Sequence, residues 1–366
     1  MSLAVIKQLN AKAVIKVLVV DDSPSICKLM EEIINREPDM EVVGTAPDPL
    51  LAREMIKTLN PDVVTLDIEM PRMNGLDFLE KLMRLHPVPV LMVSSLTAAG
   101  SAATLRALEL GAMDVVLKPH TAAPDAIRTM AEEITGKLRR VLQSRPNLAA
   151  SAPVAVPPPA VSAALSPALA ARKMIFIGSS TGGTEAVRNF LSMMPVGSPA
   201  IMIAQHLPEA FTGAFARRLD ASCQLTVKEA VHNELIQVGH VYVAPGHSHL
   251  MVCKSGGYYY TYLSNAEPVN RHRPSVDVLF ESAARHVGRN AIGVILTGMG
   301  KDGAAGMLKM REAGAYTLAQ DQSSCVVFGM PKSAIELNGV QEVLSLSDLP
   351  KGVLKQLVRQ GEVGRP

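Results

Sequence analysis

Between Arg145 and Arg172 the chain carries no charged residue, and Pro146, Pro153, Pro157, Pro158, Pro159 and Pro167 recur among alanines. Such a segment has neither the bulk nor the periodicity to build a core, and its prolines hold it extended. Whatever folds must lie on one side of it or the other. Residues 144–171 therefore read as a semi-rigid linker, and a length of 366 residues suits one domain before it and one after it. With 48% of residues apolar and 19% charged, both sides have the material for a packed interior.

Before the linker, short β-branched runs at 17–20, 42–45, 63–66, 90–93 and 115–117 have the look of buried parallel strands. Segments 23–34, 52–59, 75–85, 101–110 and 125–142 are long enough for crossover helices, and Pro24 suits a first helical turn. Five such units over residues 16–133 predict a flavodoxin-like, doubly wound α/β sheet. After the linker a second α/β pattern fills residues 168–360. Its strand-like runs are 174–177, 200–204, 225–227, 240–243, 250–253, 258–263, 291–296 and 316–320, with Gly256-Gly257 as a hairpin turn. Helices fit 185–194, 210–219, 276–287, 303–312 and 331–337, with a last one near 349–359. The pattern predicts a Rossmann-like domain on a mixed sheet.

Charge and composition remove several function classes. With 36 basic and 34 acidic residues the net charge is +2, there is no Trp, and aromatics make up 4%, so neither a nucleic-acid stripe nor a base-stacking platform is expected. Cys27, Cys223, Cys253 and Cys325 are far apart and form no CxxC pair, which fits a reducing cytoplasm better than a disulfide framework or a zinc site. Residues 1–16 do not read as a secretory leader, and no uninterrupted apolar stretch reaches about 18 residues, so no membrane insertion is expected.

In the first half, Asp21 and Asp22 follow the first strand and Asp67 ends the third. A doubly wound sheet makes those strands neighbours and binds ligands outside their carboxyl ends. Three carboxylates converging there repel one another unless a cation is present, and hard oxygen ligands suit Mg²⁺. Ser94 closes the fourth strand and Lys118 the fifth, which adds a hydroxyl and an ammonium to the same rim. These parts suit transfer of a phosphoryl group to a carboxylate, with metal and lysine neutralising the charge.

In the second half, Gly178-Ser179-Ser180-Thr181-Gly182-Gly183 follows an apolar run and precedes a helix-like segment. A strand, a glycine turn and a helix start can cradle a phosphate or present a nucleophile. The stretch is not GxGxxG, lacks the Gly-Lys-Ser/Thr of a P-loop, and the next strand ends in Gln205-His206 instead of an acidic ribose ligand. It does satisfy G-x-S-x-G, which selects Ser180 and leaves Ser179 as a turn hydroxyl. His206 and Asp302 also follow apolar strands, so a serine, an imidazole and a carboxylate project from one rim. Their order, Ser…His…Asp, differs from that of the α/β-hydrolases. The Thr181 N–H, at the helix start, is placed to meet an oxyanion. His247 and His249 could share a strand face, but two imidazoles alone do not complete a metal site. Arg271-His272-Arg273 reads as a solvated basic turn, or as a contact for an acidic substrate face.

Two resemblances join these readings. Asp67-Ile68-Glu69-Met70-Pro71 and Lys118-Pro119, with the strand-end acids, resemble the receiver domain of two-component response regulators. The resemblance implies Asp67 as phosphoacceptor from a histidine kinase, and Asp21, Asp22, Asp67 and the Glu69 carbonyl as the Mg²⁺ site. Val115 stands where many receivers carry an aromatic switch residue. The second half resembles the catalytic domain of the chemotaxis receptor protein-glutamate methylesterases, through residues 177–186, Gln205-His206, Ala244-Pro245-Gly246, residues 272–277 and residues 297–303. This implies Ser180 as nucleophile, His206 as base, Asp302 as orienting acid and the Met299 N–H as oxyanion donor. It also implies hydrolysis of glutamate methyl esters on chemoreceptors, with release of methanol, deamidation of receptor glutamines, and no cofactor for either step. Phosphorylation of Asp67 is expected to activate the hydrolase. Two rival readings are a catalytically inactive interaction module, which the intact Ser180, His206 and Asp302 oppose, and a DNA-binding regulator, for which the second half lacks a basic recognition stripe.

Overall fold

The computed structural model describes residues 14–70, 74–94, 98–118, 123–143 and 167–362. The chain divides into two compact units, Met1–Leu148 and Ala149–Pro366. Most of the expected linker, residues 144–166, lies outside the described residues. Its last part belongs to the second unit: Pro167–Ala170 forms a helical turn whose Ala170 is buried. Among the described residues no helix is long and apolar enough to cross a membrane.

In the first unit β1 (Ile15–Val20), β2 (Met40–Ala46), β3 (Val63–Asp67), β4 (Val90–Ser94) and β5 (Asp114–Leu117) form one parallel sheet in the order β2-β1-β3-β4-β5. Every residue of β3 and β4 is buried, as expected of strands with helices on both faces. The helices are α1 (Pro24–Asn35), α2 (Pro49–Leu59), α3 (Gly75–Leu85), α4 (Ala98–Glu109) and α5 (Pro124–Gln143). Side chains define their starts: Ser23 accepts from the Ile26 N–H, and Asp48 from those of Leu50 and Leu51, each ahead of a proline in the first turn. One core cluster includes Val17, Val19, Ile34, Leu91, Val93, Val116, Ile134 and Leu138. With β1 beside β3, Asp21 and Asp67 leave the same edge of the sheet.

The second unit continues with the short helix α6 (Pro167–Ala170), then β6 (Met174–Ser179), α7 (Gly183–Ser192), β7 (Ala200–Gln205), α8 (Glu209–Asp220), β8 (Thr226–Glu229) and β9 (His240–Val243). Then come the hairpin β10 (His249–Ser255) and β11 (Tyr258–Ser264), followed by α9 (Val276–His286), β12 (Ala291–Ile295), α10 (Ala304–Glu312), β13 (Tyr316–Gln320), α11 (Met330–Glu336), β14 (Glu342–Leu344) and α12 (Leu349–Glu362). The mixed sheet expected from the pattern separates into two. Seven strands form an all-parallel sheet in the order β14-β13-β12-β6-β7-β9-β8, and β10 pairs with β11 antiparallel in a sheet of its own. Gly256 and Gly257 make the expected hairpin turn, with φ of 56° and 87° that a side chain rarely tolerates. From β6 the chain builds outward through β7 and β9 on one side, then returns to lay β12, β13 and β14 on the other. The order of strands therefore reverses between β6 and β12, where parallel α/β sheets leave a crevice at their carboxyl ends.

Candidate active site

Ser180, His206 and Asp302 leave the carboxyl ends of β6, β7 and β12, the three central strands of that crevice. The β6–β7 register pairs Ser179 with Gln205, so Ser180 and His206 are the next pair along, and the His206 N–H donates to the Ser179 carbonyl at 3.1 Å. Gln205 fastens the two together. Its Nε2 donates to the Ser180 carbonyl at 2.9 Å and the His206 carbonyl at 3.3 Å, while its Oε1 accepts from Ser179 Oγ at 2.5 Å. Ser179 is thus the turn hydroxyl expected of it, and Ser180 is the serine with its side chain left partly open. On the other side the Ser180 N–H donates to the Thr297 carbonyl at 3.1 Å, and Thr297 Oγ1 donates to the Thr181 carbonyl at 3.0 Å. Those bonds bring the loop that carries Met299 and Asp302 alongside the glycine turn. Gly298 permits this approach, because a Cβ there would stand 2.9 Å from Ser180 Cβ.

His206 Nε2 lies 2.8 Å from Asp302 Oδ2, and the two side chains are 7% and 1% exposed. The other ring nitrogen, Nδ1, is buried and has no hydrogen-bond partner among the described residues. A carboxylate beside Nε2 holds the proton there and leaves the lone pair on Nδ1. Asp302 precedes α10 without capping it; its carboxylate caps α9 instead. Oδ2 accepts from the Val276 N–H at 2.7 Å, and Oδ1 from the Asp277 N–H at 3.2 Å, Ser275 Oγ at 2.7 Å and Asn270 Nδ2 at 2.8 Å. Burial pushes this carboxyl upward, but His206, Asn270 and Ser275 together hold it well below the ordinary carboxylate range. The anion is further favoured by the positive end of the α9 dipole.

A second layer holds these donors. His249, 1% exposed, donates or accepts at both nitrogens: Nε2 meets the Glu267 carbonyl at 3.1 Å, and Nδ1 accepts from the Ser275 N–H at 3.0 Å. Neither nitrogen is left for a metal. Asn270 Nδ2 also donates to Asp277 Oδ2 at 2.7 Å, and Asp277 Oδ1 accepts from the Gly306 N–H at 2.7 Å. Burial pushes the Asp277 carboxyl up. His272, expected as part of a solvated turn, is half-buried and stacks on the His206 ring, with centroids 3.8 Å apart and planes 6° from parallel. Asn270 and Arg271, just before it, adopt left-handed backbone with φ of 52° and 67°. The Met299 and Thr181 N–H groups have no acceptor among the described residues.

The first unit gathers the other expected set. Asp21, Asp22 and Asp67 each offer a carboxylate oxygen within 4.8 Å of the others; Asp21 and Asp67 are buried and Asp22 is exposed. Lys118 Nζ bridges Asp21 Oδ2 at 2.7 Å and Asp67 Oδ2 at 2.8 Å. Burial works against the Lys118 charge, but the two carboxylates outweigh it and raise the ammonium's pKa; burial raises Asp21, with Lys118 opposing. Ser94, 1% exposed, accepts from Thr104 Oγ1 at 3.2 Å, and its carbonyl accepts from the Lys118 N–H at 2.8 Å. Glu69 is exposed, and Val115 is buried in β5. Pro71 and Pro119 lie outside the described residues. Three carboxylates at this separation, two of them buried, fit a hard divalent cation such as Mg²⁺.

Residues 175–353 match the family model of the CheB methylesterase, and residues 17–132 match that of the response regulator receiver domain. A protein-glutamate methylesterase/protein-glutamine glutaminase 2 of Cupriavidus pinatubonensis is 59% identical over 349 residues, covering 95% of this chain and 98% of its own. One of Paraburkholderia xenovorans is 56% identical over 354 residues, with 95% and 98% covered. The crystal structure of the Thermotoga maritima CheB methylesterase catalytic domain is 40% identical, covers 50% of this chain and 98% of that one, and has a TM-score of 0.49. The chain belongs to the protein-glutamate methylesterase/protein-glutamine glutaminase family, with a response-regulator receiver domain ahead of its methylesterase domain.

Proposed function

We propose that this chain hydrolyses the methyl esters of glutamate side chains on chemoreceptors, releasing methanol, and deamidates receptor glutamines by the same chemistry. The observation that carries this reading is the His206 ring. Its Nε2 is 2.8 Å from buried Asp302, its Nδ1 is buried without a partner, and Ser180 is the next residue in register. Asp302 orients the ring and keeps the proton on Nε2, so Nδ1 takes the Ser180 Oγ proton as Oγ attacks the ester carbonyl. The backbone N–H groups of Met299 and Thr181 receive the oxyanion. His206 passes its proton to the departing methoxide, which leaves as methanol and an acyl-serine. Water then attacks with His206 again as base, which restores Ser180 and frees the glutamate carboxylate. With a glutamine side chain the leaving group is ammonia.

In the receiver domain Asp67 accepts a phosphoryl group from a histidine kinase, and the modification raises the hydrolytic rate. Asp21, Asp22, Asp67 and the Glu69 carbonyl would hold Mg²⁺, which neutralises phosphoryl charge when bound. Lys118 and Ser94 stand at the same rim to meet the phosphoryl oxygens. Four cysteines without a disulfide fit a cytoplasmic setting.

The test is methanol release from methylated receptor by the native protein and by Ser180→Ala, each with and without a small phosphodonor. The native rate is expected to rise with the donor, and the variant to release nothing above background. Equal release by Ser180→Ala would end the mechanism, and a native rate blind to the donor would end the coupling.

A further inference from the structure

One groove of the receiver domain is lined in a way that phosphoryl transfer does not use. It lies between α2 and α3 and encloses about 400 Å³. Ile56, Phe78 and Leu82 form a buried apolar floor, and Leu50 and Leu85 carry the apolar strip outward at 60% and 71% exposure. Both helices present the same alternation to it. Leu50, Arg53 and Lys57 follow one another along one face of α2, and Phe78, Lys81, Leu82 and Leu85 along one face of α3. The charges at the rim, Arg53, Lys57 and Lys81, are all positive, and no carboxylate lines the groove. Lys57 pairs with Glu54 at the exposed surface at 3.2 Å; Arg53 and Lys81 form no ion pair among the described residues.

We propose that this groove docks an acidic amphipathic helix of another protein, with aliphatic side chains on the floor and carboxylates against Arg53 and Lys81. A groove of this size that runs out to exposed leucines, with Arg53 and Lys57 on one helix and Lys81 on the other, suits a helix presenting anchors at i, i+3, i+4 and i+7. The chain's own segments lack the complementary charge. Residues 1–13 hold Lys7 and Lys12 and no acid, and residues 146–171 hold no charge at all. A second copy docked face to face would set Arg53 and Lys81 against themselves.

The experiment uses the full-length protein and a fluorescent helical peptide of about 18 residues, or five turns, with leucines at helical spacing flanked by glutamates. A second peptide carries lysines in place of the glutamates. Binding read by anisotropy should weaken by about tenfold or more, a loss of about 1.4 kcal/mol, in Leu50→Ser/Leu85→Ser and in Arg53→Glu/Lys81→Glu. The lysine peptide should bind only the latter variant. Methanol release and donor response should stay native in both. Backbone amide shifts of the native protein should move at α2 and α3, which keeps the test decisive should a variant fold poorly. The proposal is overturned if the acidic peptide does not bind, if both variants bind it as the native chain does, if the lysine peptide binds the native chain equally, or if light scattering finds a dimer that Leu50→Ser/Leu85→Ser dissolves.

Discussion

Asp302 accepts five hydrogen bonds, and four of its donors come from residues 25 to 32 positions earlier in the chain. Asp302→Asn keeps the shape but sets an amide N–H₂ among donors and no longer fixes the His206 proton on Nε2. We expect kcat to fall by about 10⁴-fold, and stability by roughly 1–3 kcal/mol from the donors left unpaired, checked by methanol release and a denaturant melt. The sign of the pH dependence follows from the depressed folded pKa. The carboxylate's stabilisation is complete above its unfolded pKa, near 3.8, and is lost only as pH falls through the lower folded value. Asp302 therefore adds no slope to stability or rate between about pH 5 and 9, and an acid limb of kcat/KM there titrates with some other group. His272 is half-buried against the His206 ring, not part of a solvated turn. Its ring lies flat against the His206 ring and restrains its plane, so His272→Ala should lower kcat/KM by about tenfold while His272→Phe keeps most of it, since small misplacements of a reacting group are costly. Equal losses in the two variants would point to the imidazole nitrogens instead of the stack.

At the scale of elements, one glycine sets the distance between β6 and the cap that holds Asp302. A Cβ at Gly178 would lie 2.1 Å from Val276 Cγ1, on the first residue of α9. Gly178→Ala should therefore cost about 1–3 kcal/mol by overpacking and displace the Val276 and Asp277 N–H groups from the carboxylate. The measurement is a melt beside a rate: kcat should fall further than the loss of folded protein at assay temperature explains. The elements themselves were largely legible. Strands such as β3, β4 and β7 are continuous apolar runs because both faces are covered, and all eight strand-like runs of the second half correspond to strands. The misses have physical causes. β14 is three half-exposed or exposed residues at a sheet edge, with no run to see. α2 starts at Pro49 behind its Asp48 cap, three residues ahead of the start expected from the sequence, because a cap and a proline carry no apolar periodicity. Strand order is a tertiary property, so the hairpin's separation from the parallel sheet was not in the pattern. That Ser180, His206 and Asp302 meet at one rim was legible because each follows a strand. Asn270, Ser275 and His249 act from a loop, a cap and a hairpin end, with no periodicity linking them to Asp302.

Across the whole molecule, two rims carry different charges for different tasks. The receiver rim concentrates three carboxylates around one ammonium, a set suited to a cation and a phosphoryl group. The methylesterase rim sets the buried Asp302 carboxylate beneath a histidine and, among the described residues, leaves two backbone N–H groups open, a set suited to a transient oxyanion. Neither rim contains the parts of the other, so the two activities should separate by single substitutions. Asp67→Asn removes the carboxylate proposed to take the phosphoryl group, while its amide oxygen can still accept from the Ile68 N–H, as Asp67 Oδ1 does at 2.8 Å. It should leave unstimulated methanol release within about twofold of native, since Ser180, His206 and Asp302 all belong to the second unit, and abolish the rise caused by a phosphodonor. Removing divalent cations with a chelator should do the same to the native protein, because the Asp21, Asp22 and Asp67 carboxylates then lack the charge that offsets an incoming phosphoryl group. Restoring Mg²⁺ should recover the response in the native protein and not in Asp67→Asn. A chelator that lowered the unstimulated rate would instead put a metal in the ester chemistry.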